Sequence, residues 1–341
     1  MARSVHLVGS IPFGTPEEAM TVCLDRLGPY LRTLPDGETG ERRDLIVHIV
    51  ESLRDHPDLE LRHGGDRSAD ERVVTFRVRR GRRLDGRTVD LGHVAAFAAT
   101  YPRFLQLRAR RGRPDLAFQV GIAEDLDMAL LVLGPAGPLL HRLPFTVATL
   151  REIRAIQARA GDDVVVQLDV PAEVVAVGRA PRPLRPLVAA YLARGITALA
   201  GRSPIHARFG VHFCVGDLNH RALARMRDVR PLVLLANAVA RRWPQGRPFE
   251  YVHVPFAAAD HPPPLDADFY APLVDLAVPA DVRFVAGIVH DRRTVEEQRD
   301  VLDRIEHLVG RTVDVATACG LGRREPEPAV ATMQQAATLC R

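Results

Sequence analysis

Along the chain, short runs dense in Val, Ile and Phe alternate with stretches whose apolar residues recur at helical spacing. The first kind lies at 5–10, 31–38, 117–122, 164–171, 210–217, 250–256, 282–291 and 313–320. The run at 31–38 is the weakest, because LRTLPDGE carries little beyond two leucines. Between most of them lie amphipathic segments, at 16–31, 145–161, 185–195, 220–242 and 294–310. Near-continuous apolar strands separated by helices mean parallel strands covered on both faces. Eight such units predict an α/β fold, a (β/α)8 TIM barrel, occupying residues 1–341 as a single domain.

The stretch from about 55 to 105 breaks the rhythm. VVTFRVRRGRRLDGRTVDLGH holds two alternating runs about a Gly-containing turn, and so predicts a β-hairpin inserted at about 60–95. Its basic cluster, RVRRGRR at 77–83, reads as an exposed hairpin tip in preference to a phosphate site. No internal repeat or low-complexity linker interrupts the chain, and the Pro-rich patches RAPRPLRP and DHPPPLD read as loops following strands.

Composition narrows the function classes. Of 341 residues, 47% are hydrophobic and 26% charged, which is globular usage and excludes a disordered chain. The 46 basic residues are set against 42 acidic ones and spread along the chain, so the net charge of +4 gives a nucleic-acid partner little support. No run approaches the ~18 apolar residues of a membrane span, and the N-terminal apolar segment is too short for a signal peptide. A cytosolic enzyme without a membrane partner is the expectation. Four cysteines, Cys23, Cys214, Cys319 and Cys340, are spaced too irregularly for a disulfide framework, and in a reducing compartment they point to metal binding or catalysis.

VHFCVGDLNH, at 211–220, gives that reading its sharpest form. In a strand, His212 and Cys214 face the same side, as half of a metal site would require. More broadly, Ser10, Glu38, Asp169, His212, Cys214, His253, His290, Asp291 and Cys319 all fall at or near the C-terminal end of a predicted strand. In a barrel those ends build the active-site face. Plainer roles compete at several positions. Cys23 and Cys340 read as helix packing, Ser10 as a helix cap, Asp169 as a turn residue, and Cys214 and Cys319 as buried core thiols. His6 reads as a packed strand residue, Trp243 shows no stacking platform, and Asp291 reads as the cap of the next helix.

VGS after the first strand, GETGERRDL after the second, QLDVP at the fourth, HFC at the fifth and ACGLGR at the eighth occur in the order of motifs found in one family. Together they resemble the catalytic half of cobalamin-independent methionine synthase, whose motifs are I-G-S, G-E-P-x-R-x-D-M, Q-x-D-E-P, H-x-C and D-C-G-L on a TIM barrel. The similarity runs from about residue 5 to residue 340. It implies that His212, Cys214 and Cys319 match zinc ligands, and that Ser10, Glu38 and Asp169 match residues holding the amino-acid part of homocysteine. The implied activity is methyl or alkyl transfer to a thiol carried as a zinc-bound thiolate, with Asp169 and Glu38 as the catalytic carboxylates. That chemistry is coherent, since catalytic zinc accepts Cys and His and keeps one position open, where an entering thiol loses its proton.

The chain departs from the family pattern in four places. Asp169-Val170-Pro171 replaces Asp-Glu-Pro, Thr317-Ala318-Cys319 replaces Pro-Asp-Cys, and GETGERRD carries one residue more. The family's fourth ligand, a glutamate from the sixth strand, has no match; His253 or Glu250 could replace it, and His253 lies nearer the strand end. The family's additional N-terminal barrel, which helps hold folate, is not seen in this sequence. The expected donor is therefore a corrinoid protein or a small methylated compound, and the acceptor a small-molecule thiol or amino acid. A lyase or decarboxylase like uroporphyrinogen decarboxylase, a biosynthetic enzyme with a repurposed zinc site, and a non-catalytic binding protein stay open.

Overall fold

In the computed structural model, residues 2–62, 74–215, 217–218, 221–222, 226–258 and 261–341 are described. The described residues hold twelve strands, numbered in chain order. The barrel is made by β1 (Val5–His6), β2 (Thr33–Pro35), β5 (Ala117–Ala123), β6 (Val164–Asp169), β7 (Arg208–His212), β10 (Phe249–Pro255), β11 (Arg283–Val289) and β12 (Asp314–Thr317). The remaining strands form two antiparallel pairs, β3 (Leu59–Leu61) with β4 (Phe76–Val78) and β8 (Asp217–Leu218) with β9 (Arg221–Ala222).

All eight barrel strands pair in parallel, in the order β1-β12-β11-β10-β7-β6-β5-β2. A single bridge between Val5 and Leu31 brings the two ends together, leaving a nearly closed barrel. Each strand falls inside or within two residues of an expected apolar run, because strands buried on both faces need apolar side chains in both directions. In β6, for instance, Val164 to Leu168 are all buried. Helices wrap the outside, as at Pro16–Leu27, Arg142–Ala160, Arg185–Arg202, Arg230–Arg242 and Val295–Val309.

The expected segment 220–242 is helical only from Arg230; Arg221 and Ala222 belong to β9, and 219–220 and 223–225 lie outside the described residues. Pro231 at the first helical turn sets that start, since its missing N–H costs nothing there. Helix Val295–Val309 is capped by Thr294, whose hydroxyl accepts from Glu297 N while Glu297 reaches back to Thr294 N. The capping role expected for Asp291 therefore belongs to Thr294. Asp291 instead pairs with Arg324 at 2.7 Å.

The inserted hairpin is present, but it is built from different strands than the alternating pattern suggests. Phe76–Val78 pairs with Leu59–Leu61, upstream, so the run after Gly81 takes no part in the ladder. Buried Phe76 and Leu59 pack with Leu53, Val89, Met128 and Phe145 in a small core of their own. The barrel helix that follows, His93–Arg110, starts within the stretch that breaks the sequence rhythm, and Pro102 lies inside it.

The barrel floor is polar. Gln167 Nε2 donates to the Val8 carbonyl (2.7 Å) and to Asp169 Oδ1 (2.9 Å), while its Oε1 accepts from the Tyr251 hydroxyl (3.0 Å) and meets His6 Nε2 (2.9 Å). Gln119 donates to the carbonyls of Leu7 and Val8 and accepts from Thr33. These buried amides are supplied with partners, as buried polar groups must be, and Gln167 fixes the carboxylate of Asp169 from below.

Candidate functional site

At the C-terminal ends of the strands, Asp169, His212 and His253 stand side by side in register on β6, β7 and β10. Cys214 follows β7 by two residues and Cys319 follows β12 by two. The sulfurs of Cys214 and Cys319 come to 3.9 Å of one another. With one nitrogen of His212 they form a set of donor atoms all within 4.8 Å.

This spacing fits a metal of the zinc class. Two sulfurs at about 2.3 Å from a tetrahedral centre stand about 3.8 Å apart, whereas a disulfide would need about 2.05 Å. Neither cysteine is in a disulfide and both are half-buried, while His212 is buried. One imidazole and two thiols suit a borderline-soft ion and leave a fourth position open.

His253 is not among these donors. Its Nδ1 lies 2.6 Å from Nδ1 of His212, and its Nε2 lies 3.0 Å from the Thr317 carbonyl oxygen. A carbonyl only accepts, so Nε2 of His253 carries a proton. Burial, followed by the charges of His212 and His6, holds the His253 pKa well below its ordinary value, so the ring is neutral and its Nδ1 accepts. His212 Nδ1 is then the donor, which leaves the Nε2 lone pair of His212 for a metal. The ring of His253 reaches from β10 to β12 across β11 because Gly287 stands there; a Cβ on Gly287 would lie 2.8 Å from His253 Nε2.

Opposite the sulfurs lie two carboxylates. Glu38 follows β2 in a turn where Asp36 Oδ1 accepts from Glu38 N at 2.9 Å, and it adopts φ 43°, a left-handed conformation unusual for a residue with a side chain. Its carboxylate fills space left by glycines. A Cβ on Gly9 would stand 2.8 Å from Glu38 Oε1, and one on Gly121 would stand 3.0 Å from that oxygen and 3.5 Å from Asp169 Oδ2. Burial, with the neighbouring charges of Asp36 and Asp169, pushes the Glu38 carboxyl up to about 8 against the opposing pull of Arg42. Burial and the charge of Cys214 likewise raise Asp169. Two carboxyls poised this way favour a cation as guest, because a positive group would restore their ionised forms.

Ser10 completes the rim. Its carbonyl accepts from Leu321 N at 2.7 Å, so it packs on the loop that carries Cys319. A cavity of about 170 Å³ has Cys319 in its wall, together with His290, Asp291, Arg292, Ala318 and Arg324. A larger hollow of about 480 Å³, beside Gly28, Arg113 and Asp115, has neither cysteine nor histidine in its wall and follows no strand end that bears the site.

The structure therefore brings together Ser10, Glu38, Asp169, His212, Cys214 and Cys319 and sets His253 behind His212. Cys23 is a buried core residue and Cys340 packs partly buried against the same core. His6 is buried on the barrel floor, and Trp243 stacks on Phe249 with ring centroids 3.9 Å apart. Sequence reasoning did not find Gln119, Gln167 and Tyr251. The only trace of the two glutamines was a polar residue in the middle of each of two apolar strands.

No family model matches the chain, and no curated protein matches it. Solved structures do. A B12-independent methionine synthase from Shewanella sp. W3-18-1, solved with selenomethionine, superposes with a TM-score of 0.59 at 13% identity, over 100% of this chain and 96% of that one. A methyltransferase from Methanosarcina mazei superposes with a TM-score of 0.55 at 13% identity, over 99% of this chain and 94% of that one. By fold the chain is a TIM barrel similar over its whole length to these two structures. It carries a histidine–cysteine cluster, buried at His212 and half-buried at both cysteines, that is capable of holding a metal at the mouth of that barrel.

Proposed function

We propose that this protein is a zinc-dependent transferase that moves a methyl or other alkyl group onto the thiol of a small amino-acid-like acceptor. The observation carrying this reading is the meeting of Cys214 and Cys319 at 3.9 Å beside His212, on strands far apart in sequence. Such a group has no use in a decarboxylase that works without metal. His212, Cys214 and Cys319 would hold the ion. When bound, zinc supplies a Lewis-acid position at which a thiol gives up its proton near neutral pH.

The chain's own residues supply the rest. Glu38 and Asp169 hold the acceptor's ammonium through charge-assisted hydrogen bonds and orient its sulfur toward the cluster. Gln167 keeps Asp169 in place from the barrel floor. Ser10 joins the acceptor's polar end at the rim, and His253 keeps His212 in the ligating tautomer. As methyl source the reading takes a corrinoid protein or a small methylated compound.

Metal analysis of protein purified without chelator tests the proposal. The expected result is about one zinc per chain, lost in Cys214→Ser or Cys319→Ser variants that still fold. Zinc-free wild-type protein that gains no zinc on titration would sink it.

A further inference from the structure

A second group of metal-ligating side chains lies outside this cluster. Glu124 directly follows β5 and caps helix Asp125–Leu133, Asp127 lies in that helix's first turn, and Glu173 lies in the first turn of helix Pro171–Arg179 after β6. One oxygen from each comes within 4.8 Å of the other two, and all three residues are buried, at 0%, 1% and 0% exposure.

Their hydrogen bonds divide them. Both oxygens of Glu124 have donors: Oε2 accepts from Leu126 N at 2.6 Å and Oε1 from Arg142 at 2.7 Å. Asp127 Oδ1 accepts from Ala172 N at 2.8 Å. Arg142 is shared with Asp125, which also accepts from Thr146. Among the described residues, nothing donates to Asp127 Oδ2 or to either oxygen of Glu173. Asp127 and Glu173 thus present three buried oxygens without a donor beside Glu124, and burial first of all holds both carboxyls well above their ordinary range, a cost that a bound cation would relieve. Buried charge needs a counter-charge, and an all-oxygen donor set selects a hard ion over a soft one.

We propose that Glu124, Asp127 and Glu173 form a second metal site, for a divalent cation of the magnesium, manganese or calcium class. Such an ion ties the loop after β5 to the loop after β6. Glu124 N already donates to the Asp169 carbonyl at 3.1 Å, so the same tie steadies the segment that presents Asp169. The inference does not depend on the zinc reading, because no residue is common to the two clusters.

Titration of the full chain with manganese, followed by loss of the free-ion electron paramagnetic resonance signal, tests it. The expected result is one saturable manganese per chain, displaced by magnesium or calcium, lost in Glu173→Gln and retained in Cys319→Ser. In parallel, thermal unfolding should shift upward with the divalent ion relative to sodium chloride of equal ionic strength, and not in Glu173→Gln. Should Glu173→Gln fail to fold, Asp127→Asn carries the same expectation. Saturable binding that survives both substitutions overturns the proposal, as does wild-type protein that takes up no manganese. A protonated-carboxyl infrared band that persists at saturating cation and vanishes in Glu173→Gln also overturns it, since protons would then fill the cluster.

Discussion

His253 holds His212 through a hydrogen bond between their Nδ1 atoms, 2.6 Å long, and is itself held by the carbonyl of Thr317 at 3.0 Å. One neutral ring thereby links the strand leading to Cys214 with the strand leading to Cys319. Removing such a partner from a ligating histidine typically weakens metal binding by about 10- to 100-fold. His253→Ala is expected to show that loss in competition with a chromogenic chelator, while still taking up one zinc when the ion is in excess. Unchanged affinity would discard the tautomer assignment.

The raised carboxyl of Glu38 predicts the pH dependence of acceptor binding. Below about 8 the free protein keeps this group protonated, by burial first and then by Asp36 and Asp169. An ammonium guest requires the anion, so binding releases a proton and affinity rises with pH, by about tenfold per unit below that point, then levels off. A sulfur-free amino-acid analogue isolates the effect from thiol ionisation. Titration calorimetry across pH 6 to 9 should show the rise in wild-type protein and a weaker, shallower response in Glu38→Gln, where Asp169 alone remains to titrate, with zinc intact.

The same group makes a stability prediction of definite sign. Its folded pKa lies above the ordinary 4.5, so the unfolded chain loses this proton first as pH rises. The contribution of Glu38 to stability is thus fully present below about 4.5 and declines as pH climbs to about 8. Wild-type protein is expected to lose more stability over that interval than Glu38→Gln in urea unfolding. Equal slopes would show that the carboxyl is not held up.

Gly121 separates amino-group binding from metal binding. A methyl there would stand 3.0 Å from Glu38 Oε1, crowding that carboxyl, and at an ordinary contact distance of 3.5 Å from Asp169 Oδ2, with neither sulfur within reach. Gly121→Ala should therefore weaken acceptor binding and leave zinc stoichiometry at the wild-type level. Loss of zinc in a folded variant would contradict this division of the mouth.

The inserted hairpin has its own core, and Phe76 is its fully buried aromatic anchor. Phe76→Ala is expected to cost about 3–5 kcal/mol in denaturant unfolding. Zinc content of the folded fraction should stay unchanged, because none of His212, Cys214 and Cys319 packs in that core. A stability change under 1 kcal/mol would mean that the hairpin adds nothing to folding.

Much of the barrel was legible because its strands are buried on both faces and announce themselves as near-continuous apolar runs, as in VVVQLD. The ends of those runs also located Glu38, Asp169, His212, Cys214 and Cys319, since polar residues at strand ends have few other reasons to be there. The role of His253 was not legible. Ligand and ligand-holder look alike in sequence, and only the crossing over Gly287 separates them. Glu124, Asp127 and Glu173 were hidden for another reason: acids at helix starts are ordinary complements of the helix dipole. The hairpin partner was misread because a strand's mate is chosen by packing, here of Leu59 with Phe76, as much as by the nearest turn.

The seam between β1 and β2 is narrow: one bridge from Val5 to Leu31 below, and a 2.7 Å hydrogen bond from Ile11 N to the Gly37 carbonyl above. Ser10 and Glu38 stand on its two lips. Any guest grasped by both works as a missing rung, so that loading the mouth also latches the wall. Amide exchange at residues 5–11 and 31–37 would register that latch directly, slowing when the barrel is filled and quickening when it empties.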